Sequence, residues 1–107
     1  MKLIKHLING EIVSMGDPTQ NVYNPSTGEV SKQVEIASKT TVDKAIKAAQ
    51  EAFPAWRATP PLKRASIMFR FKDLLEKNID KIAQLIGEEH GKIDHDAPGA
   101  TTRGTEN

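Results

Sequence analysis

Residues 60–92, PPLKRASIMFRFKDLLEKNIDKIAQLIGEEHGK, carry the longest periodic run of apolar side chains in this sequence, and they decide the fold. At about 100° per residue, the large apolar side chains fall on one face of a helix and most charged side chains fall opposite. The pattern therefore predicts amphipathic helical structure with one buried side. Asn78, followed by Asp80, is typical of a new N-cap, so the stretch can divide into two helices there. The predicted buried face contains Ile67, Met68, Phe71, Leu74, Leu75, Ile79, Ile82, Leu85 and Ile86.

Phe69 is the exception to this pattern, because it projects from the polar face near Asp73 and Glu76. Two interpretations stay open. The ring either contacts something beyond this helix, or it is a single exposed apolar side chain of the kind that is common on protein surfaces.

Another helix is predicted before this stretch. Residues 40–43, TTVD, resemble a capping box in which Thr40 is the N-cap, and small apolar residues then recur at helical spacing. Pro54 is expected to end this helix at Phe53, because a residue that precedes proline is disfavoured in helical conformation. Trp56 is expected to fold back over the joint between this helix and the next.

The first third of the chain has the pattern of short strands joined by turns. Asn9-Gly10 favours a two-residue hairpin turn, and residues 24–28, NPSTG, predict a second turn. Residues 30–36 then alternate as a half-buried strand does. The predicted inner face holds Val30, Lys32, Val34 and Ile36, and the predicted outer face holds Ser31, Gln33 and Glu35.

These patterns together predict an α+β fold in which antiparallel β-hairpins come first and about three amphipathic helices follow. Residues 1–92 form the predicted structured segment. Residues 93–107 contain one aliphatic side chain larger than alanine, and we expect them to form a flexible tail because they cannot bury enough apolar surface to become ordered.

Composition narrows the classes of function. A chain of 107 residues is one small domain at most. Fifteen basic and fourteen acidic residues leave a net charge of +1, so electrostatics gives no reason to expect nucleic acid or an anionic membrane as a partner. No apolar run approaches the roughly 20 residues of a membrane span, and a cytoplasmic location is expected. The lack of cysteine excludes disulfides, thiolate metal sites and a cysteine nucleophile within these residues.

The densest group of potential metal ligands is His90, Asp94, His95 and Asp96, near the end of the chain. Its spacing matches no recognised metal site, and a solvated polar segment is the simpler interpretation. Gly91 is interpreted as the left-handed residue that ends the helix near His90. Taken residue by residue, the sequence offers no catalytic constellation.

Four blocks, in this order, resemble the amino-terminal segment of the aldehyde dehydrogenase superfamily. They are HLINGEIV (6–13), VYNPSTGEV (22–30), TTVDKAIKAAQEAFPAW (40–56) and RASIMFRFKDLLEKNIDKIAQLIGEEHGK (64–92). Within the superfamily, residues 53–76 most resemble the CoA-acylating methylmalonate-semialdehyde dehydrogenases. The resemblance implies that residues 1–92 are the beginning of the cofactor domain of such an enzyme, and that the chain is a fragment of it.

The resemblance also implies a chemistry. Members of the family use a cysteine thiolate to attack an aldehyde, pass hydride to NAD and resolve the resulting thioester with water or CoA. The cysteine, the general-base glutamate and the glycine-bearing cofactor turn belong to parts of the family outside these residues. We therefore expect NAD and CoA to serve the full-length family, a small semialdehyde to be its substrate and a homo-oligomer to be its assembly, while this chain alone binds no cofactor tightly and is inactive.

Arg103, in GATTRGTEN, aligns with an arginine that this subfamily associates with the carboxylate of the semialdehyde. A planar guanidinium that donates two parallel hydrogen bonds suits a carboxylate. The resemblance thus implies that Arg103 binds substrate, and a solvated tail arginine is the alternative.

Two hypotheses of different class follow. In the first, the chain is a truncated aldehyde dehydrogenase, whose possible partner is the remainder of a split enzyme. In the second, it is a non-catalytic helical interaction module that offers an apolar surface to another protein.

Overall fold

A computed structural model describes residues 2–91, 99 and 102–104 of the chain. The described residues fall into two compact units. The first lies within Met1–Tyr23 and Val30–Thr59, and the second lies within Asn24–Glu29 and Pro60–Asn107. Five strands precede three α-helices over residues 2–91, which confirms the predicted α+β fold.

The strands of the first unit form two small sheets. β1 (Lys2–Ile4), β5 (Val30–Glu35) and β4 (Thr19–Tyr23) form a three-stranded sheet in the order β1-β5-β4. β2 (His6–Ile8) and β3 (Glu11–Val13) form a separate antiparallel hairpin.

The β2–β3 turn confirms the prediction made from Asn9-Gly10. Asn9 has φ of 53° and Gly10 has φ of 75°, which are the positive values that a tight hairpin turn needs at both central residues.

The structure contains one pairing that the prediction of antiparallel hairpins did not include. β4 and β5 are antiparallel, but β1 pairs with β5 in parallel, with Lys2 opposite Lys32 and Ile4 opposite Val34. Local alternation predicts that a strand forms, and it does not tell which distant strand will be the neighbour.

The prediction for the outer face of β5 also needs correction, because Glu35 is buried, with 6% of its surface exposed. The carboxylate lies against polar groups described below rather than in solvent.

α1 (Lys39–Ala58) starts and ends at different residues from those predicted. Its N-cap is Ser38 rather than Thr40, since the Ser38 side chain accepts a hydrogen bond from the backbone N–H of Thr41. Pro54 lies inside the helix and does not end it at Phe53. A proline removes one backbone hydrogen bond, and the continuous helix on both sides tolerates that loss.

Trp56 is consequently within α1 rather than past its end, and 40% of its surface is exposed. α1 ends at Ala58, just before Thr59 and the prolines that follow it. The Thr59 N–H bonds the carbonyl oxygens of Ala55 and Trp56, which closes the last turn.

The second unit contains the helices predicted from residues 60–92. α2 (Pro61–Lys77) and α3 (Ile79–His90) divide at Asn78, which confirms the predicted break. The Asn78 side chain makes no N-cap bond, however, and instead donates to the carbonyl oxygen of Leu74 at a distance of 2.8 Å. It therefore satisfies the end of α2 rather than the start of α3.

The predicted C-cap at Gly91 is confirmed, with φ of 77° and a bond from its N–H to the carbonyl oxygen of Gly87. Within the same unit the turn at residues 24–29 approaches this cap. A Cβ atom added to Gly91 would lie 3.2 Å from Cγ of Pro25, so both the backbone conformation and the close contact favour glycine here.

Each unit buries very little apolar surface. Among the described residues, only Ile8 in the first unit and Ala83 in the second are buried hydrophobic residues. The predicted apolar face of α2 is present, but Met68, Phe71 and Leu74 are each more than half exposed. Phe69 is 66% exposed. No helix in the described part of the chain has the length and apolar character to cross a bilayer.

Candidate functional site

Three polar side chains of the first unit converge on one point. His6 lies at the start of β2, Asp17 lies in the loop between β3 and β4, and Glu35 ends β5. The His6 Nε2 atom lies 2.9 Å from Asp17 Oδ2 and 3.2 Å from Glu35 Oε2. We refer to these residues as the His6–Asp17–Glu35 cluster.

The cluster is largely closed to solvent. The exposed fraction is 14% for the His6 side chain, 5% for Asp17 and 2% for Glu35. Two carboxylates held this far from water need hydrogen-bond donors or cations around them, because desolvation of a charge is costly.

Neutral donors surround both carboxylates. Thr41, which is 2% exposed, donates from Oγ1 to Asp17 Oδ2 at 2.7 Å. Ser14 Oγ donates to Glu35 Oε1, and the backbone N–H of Met15 donates to Glu35 Oε2 at 3.3 Å. The cluster thus connects the first turn of α1, the loop after β3 and the last residue of β5.

The pKa of Asp17 is lowered from its ordinary value of 3.8. The hydrogen bond from Thr41 is the largest cause, and hydrogen bonds from Ser38 and His6 add to it, while burial acts in the opposite direction. Asp17 is therefore an anion at neutral pH. Together with an imidazole and a second carboxylate, it forms a donor set that can share a proton or ligate a metal ion.

Sequence reasoning missed this cluster. Its three members are 11 and 18 residues apart and belong to a strand, a loop and another strand, so no local spacing connects them. Glu35 in particular was predicted to face solvent. The arrangement depends on the parallel and antiparallel pairing of β5, which places the end of that strand beside the loop.

Arg103, the substrate-binding residue predicted from the resemblance, belongs to the second unit. Residues 102–104 are helical and exposed, and a Cβ atom added to Gly99 would lie 3.5 Å from Arg103 Nη1. The guanidinium therefore lies near Gly99, and within the described residues no hydrogen bond or ion pair holds it there. Of the metal ligands considered near the end of the chain, His90 is the exposed last residue of α3, and Asp94, His95 and Asp96 lie outside the described residues.

Comparison with known proteins gives one consistent result. The profile of the aldehyde dehydrogenase family matches residues 12–107. The chain is 53% identical, over its full length, to malonate-semialdehyde dehydrogenase of Pseudomonas aeruginosa.

Solved structures agree. Methylmalonate-semialdehyde dehydrogenase from Oceanimonas doudoroffii has a TM-score of 0.96 and 61% identity over 99% of this chain. A Sinorhizobium meliloti protein named for the same activity, solved in complex with NAD, has a TM-score of 0.95 and 37% identity over 99% of this chain. In all three comparisons the chain spans 22% of the length of the relative.

Proposed function

The chain belongs to the aldehyde dehydrogenase family, and from this membership we propose that it is the amino-terminal part of a malonate- or methylmalonate-semialdehyde dehydrogenase. The activity proposed for the whole enzyme is the NAD-dependent oxidation of the semialdehyde, with transfer of the acyl group to CoA. The observation that carries the proposal is the alignment with the Pseudomonas aeruginosa enzyme, which covers the full length of this chain at 53% identity.

The turn between β5 and α1 supports the expectation that these residues alone do not bind NAD tightly. In dinucleotide-binding folds the pyrophosphate lies at a glycine-bearing turn between a strand and the start of a helix. Here the turn between β5 and α1 is Ile36-Ala37-Ser38, which has no glycine, and the Ser38 side chain already caps the helix. In this proposal NAD, CoA and the thiolate nucleophile are supplied by other parts of the enzyme, and residues 1–92 form the beginning of its cofactor domain.

The exposed apolar side chains support a structural role for these residues. In the first unit Leu7 is 73% exposed and Ile12 is 77% exposed, and in the second unit Leu62 is 85% exposed. Patches of this kind are typical of surfaces that another protein segment covers. We propose that the remainder of the enzyme covers them, and that the 107-residue chain alone is inactive.

Complementation tests this proposal directly. The 107-residue chain would be co-expressed with the part of the Pseudomonas aeruginosa enzyme that lies beyond the matched segment. NADH production from malonate semialdehyde and CoA would then be measured. Activity is expected from the co-purified pair and from neither part alone.

Two results would contradict the proposal. Turnover by the 107-residue chain alone would show that it carries its own catalytic centre. Failure of the two parts to co-purify, although each is soluble, would favour the non-catalytic interaction module instead. A matched control pairs Leu62→Asp in α2 with Lys63→Asp one position along the same helix. If the apolar surface is the contact, the first variant should weaken complementation more than the second.

We propose further that Arg103 binds the carboxylate of the semialdehyde in the assembled enzyme. Its exposure and its lack of a fixed partner within the described residues leave the guanidinium available for this contact. In the complemented enzyme, Arg103→Ala should raise KM for malonate semialdehyde and leave the kinetics with an uncharged aldehyde unchanged. Arg103→Lys keeps the charge but loses the planar fork, so it should restore only part of the affinity. Equal losses on both substrates would remove the assignment.

The proposal includes two further expectations. The assembled enzyme is a homo-oligomer, and it lies in the cytoplasm. Size-exclusion chromatography with light scattering on the complemented pair tests the first of these.

A further inference from the structure

We propose that the His6–Asp17–Glu35 cluster is a binding site for a divalent transition-metal ion such as Zn²⁺. Its ligands are Nε2 of His6 and one oxygen atom from each carboxylate. The proposed site does not rest on the enzymatic function proposed above, because its three ligands are brought together within the first unit itself.

The spacing of the donor atoms fits a shared ion. Zn–N and Zn–O bonds are about 2.0–2.2 Å long, so two ligand atoms on one tetrahedral zinc ion lie roughly 3.3–3.6 Å apart. His6 Nε2 lies 2.9 Å from the Asp17 oxygen and 3.2 Å from the Glu35 oxygen, and all three donor atoms lie within 4.8 Å of one another. Small side-chain movements would therefore suffice to admit the ion.

Charge favours an ion at this point. The two carboxylates are 5% and 2% exposed, and within the described part of the chain the ring of His6 is the imidazole that lies against both of them. That imidazole can carry at most one positive charge, whereas a divalent ion carries two. In the structure His6 Nε2 lies within hydrogen-bond distance of both carboxylates, and a metal ion between these atoms would bind the lone pair of the neutral imidazole nitrogen. Imidazole with carboxylate is a donor set that suits Zn²⁺.

The surroundings resemble the outer shell of a metal site. Ligating carboxylates are usually held in place by further hydrogen bonds. Here Thr41 holds Asp17, while Ser14 and the Met15 backbone hold Glu35. His6, at 14% exposed, is the most accessible of the three ligands, so an ion would enter beside its ring.

Zinc titration followed by calorimetry tests the proposal, with Co²⁺ absorption as a second probe of the ligands. The chain offers a matched control, because its other two histidines, His90 and His95, lie far along the sequence from His6. The His90→Gln/His95→Gln double variant should bind one Zn²⁺ as tightly as the native chain. His6→Gln should bind at least about tenfold more weakly, because the loss of an outer-shell partner alone costs about 10- to 100-fold in affinity and His6 is a direct ligand.

Glu35→Gln gives an independent measurement if His6→Gln fails to fold. It removes a charged ligand with almost no change in shape, and it should also weaken Zn²⁺ binding and alter the Co²⁺ spectrum. Circular dichroism of each variant shows whether it is folded. The proposal is overturned if the native chain binds no Zn²⁺, if the His90→Gln/His95→Gln variant loses binding, or if folded His6→Gln binds as tightly as the native chain.

Discussion

Replacing Pro54 by alanine should stabilise the protein, because the proline lies within α1 rather than at its end. Pro54 is the sixteenth of the twenty residues of Lys39–Ala58. It has no N–H to donate to the carbonyl oxygen of Gln50, and its ring crowds that carbonyl. An alanine would restore the missing hydrogen bond and remove the crowding.

The size of the effect depends on how much helix follows the substitution. Proline in a helix interior is about 3 kcal/mol less favourable than alanine. Only residues 55–58 follow Pro54 in α1, and this single turn can fray, which limits the present cost. We therefore expect Pro54→Ala to increase the free energy of unfolding by about 2 kcal/mol.

Urea unfolding followed by circular dichroism measures this change, and hydrogen exchange of the amides at residues 55–58 reports on the last turn directly. Pro61→Ala is the control, since Pro61 is at the first position of α2, where a missing N–H costs nothing. It should be neutral or slightly destabilising. If Pro54→Ala changes neither the unfolding midpoint nor the protection of residues 55–58, then α1 ends at Phe53 and the reasoning fails.

Three further outcomes are expected. The pKa of Asp17 is lowered in the folded protein, so the stability that Asp17 contributes is present above its unfolded-state pKa of 3.8 and is lost as pH falls through its folded-state pKa. Urea unfolding of the metal-free protein from about pH 5 to about pH 2 should show this loss of stability. The Asp17→Asn variant should not show it. Ser38→Ala should cost about 1 kcal/mol in the same assay because it removes the N-cap of α1, whereas Thr40→Ala should have little effect, and the reverse order would restore Thr40 as the cap. Gly28 and Gly91 have φ of 75° and 77°, but only at Gly91 would a new Cβ meet another atom within 4 Å, so Gly91→Ala should destabilise the protein more than Gly28→Ala, and equal losses would exclude the contact.

Features controlled by a few neighbouring residues were predictable from sequence. The turn at Asn9-Gly10, the break at Asn78 and the helix end at Gly91 each follow from the conformational preference of one or two residues, and each is confirmed. The family resemblance was also predictable, because four blocks in a fixed order are specific in a way that no single block is.

Two kinds of feature were not predictable in this way: those in which several neighbouring residues compete for one role, and those that depend on distant parts of the chain. The cap at Ser38 differs by two residues from the predicted one, because several hydroxyl side chains in this region could serve. α1 continues through Pro54 because the rest of the helix compensates for the one backbone hydrogen bond that proline removes. The local conformational preference of proline accounts only for the lost bond. The His6–Asp17–Glu35 cluster required the pairing of β5 to be known first.

The parallel pairing of β1 with β5 has a consequence for how the protein forms during synthesis. Lys2 lies opposite Lys32, so β1 is synthesised well before the strand with which it pairs and must wait for β5. The β2–β3 hairpin needs only eight residues, from His6 to Val13, and can close early. Closing a long stretch of intervening chain slows strand pairing. We therefore expect β1 to be the last strand to join the β1-β5-β4 sheet during synthesis.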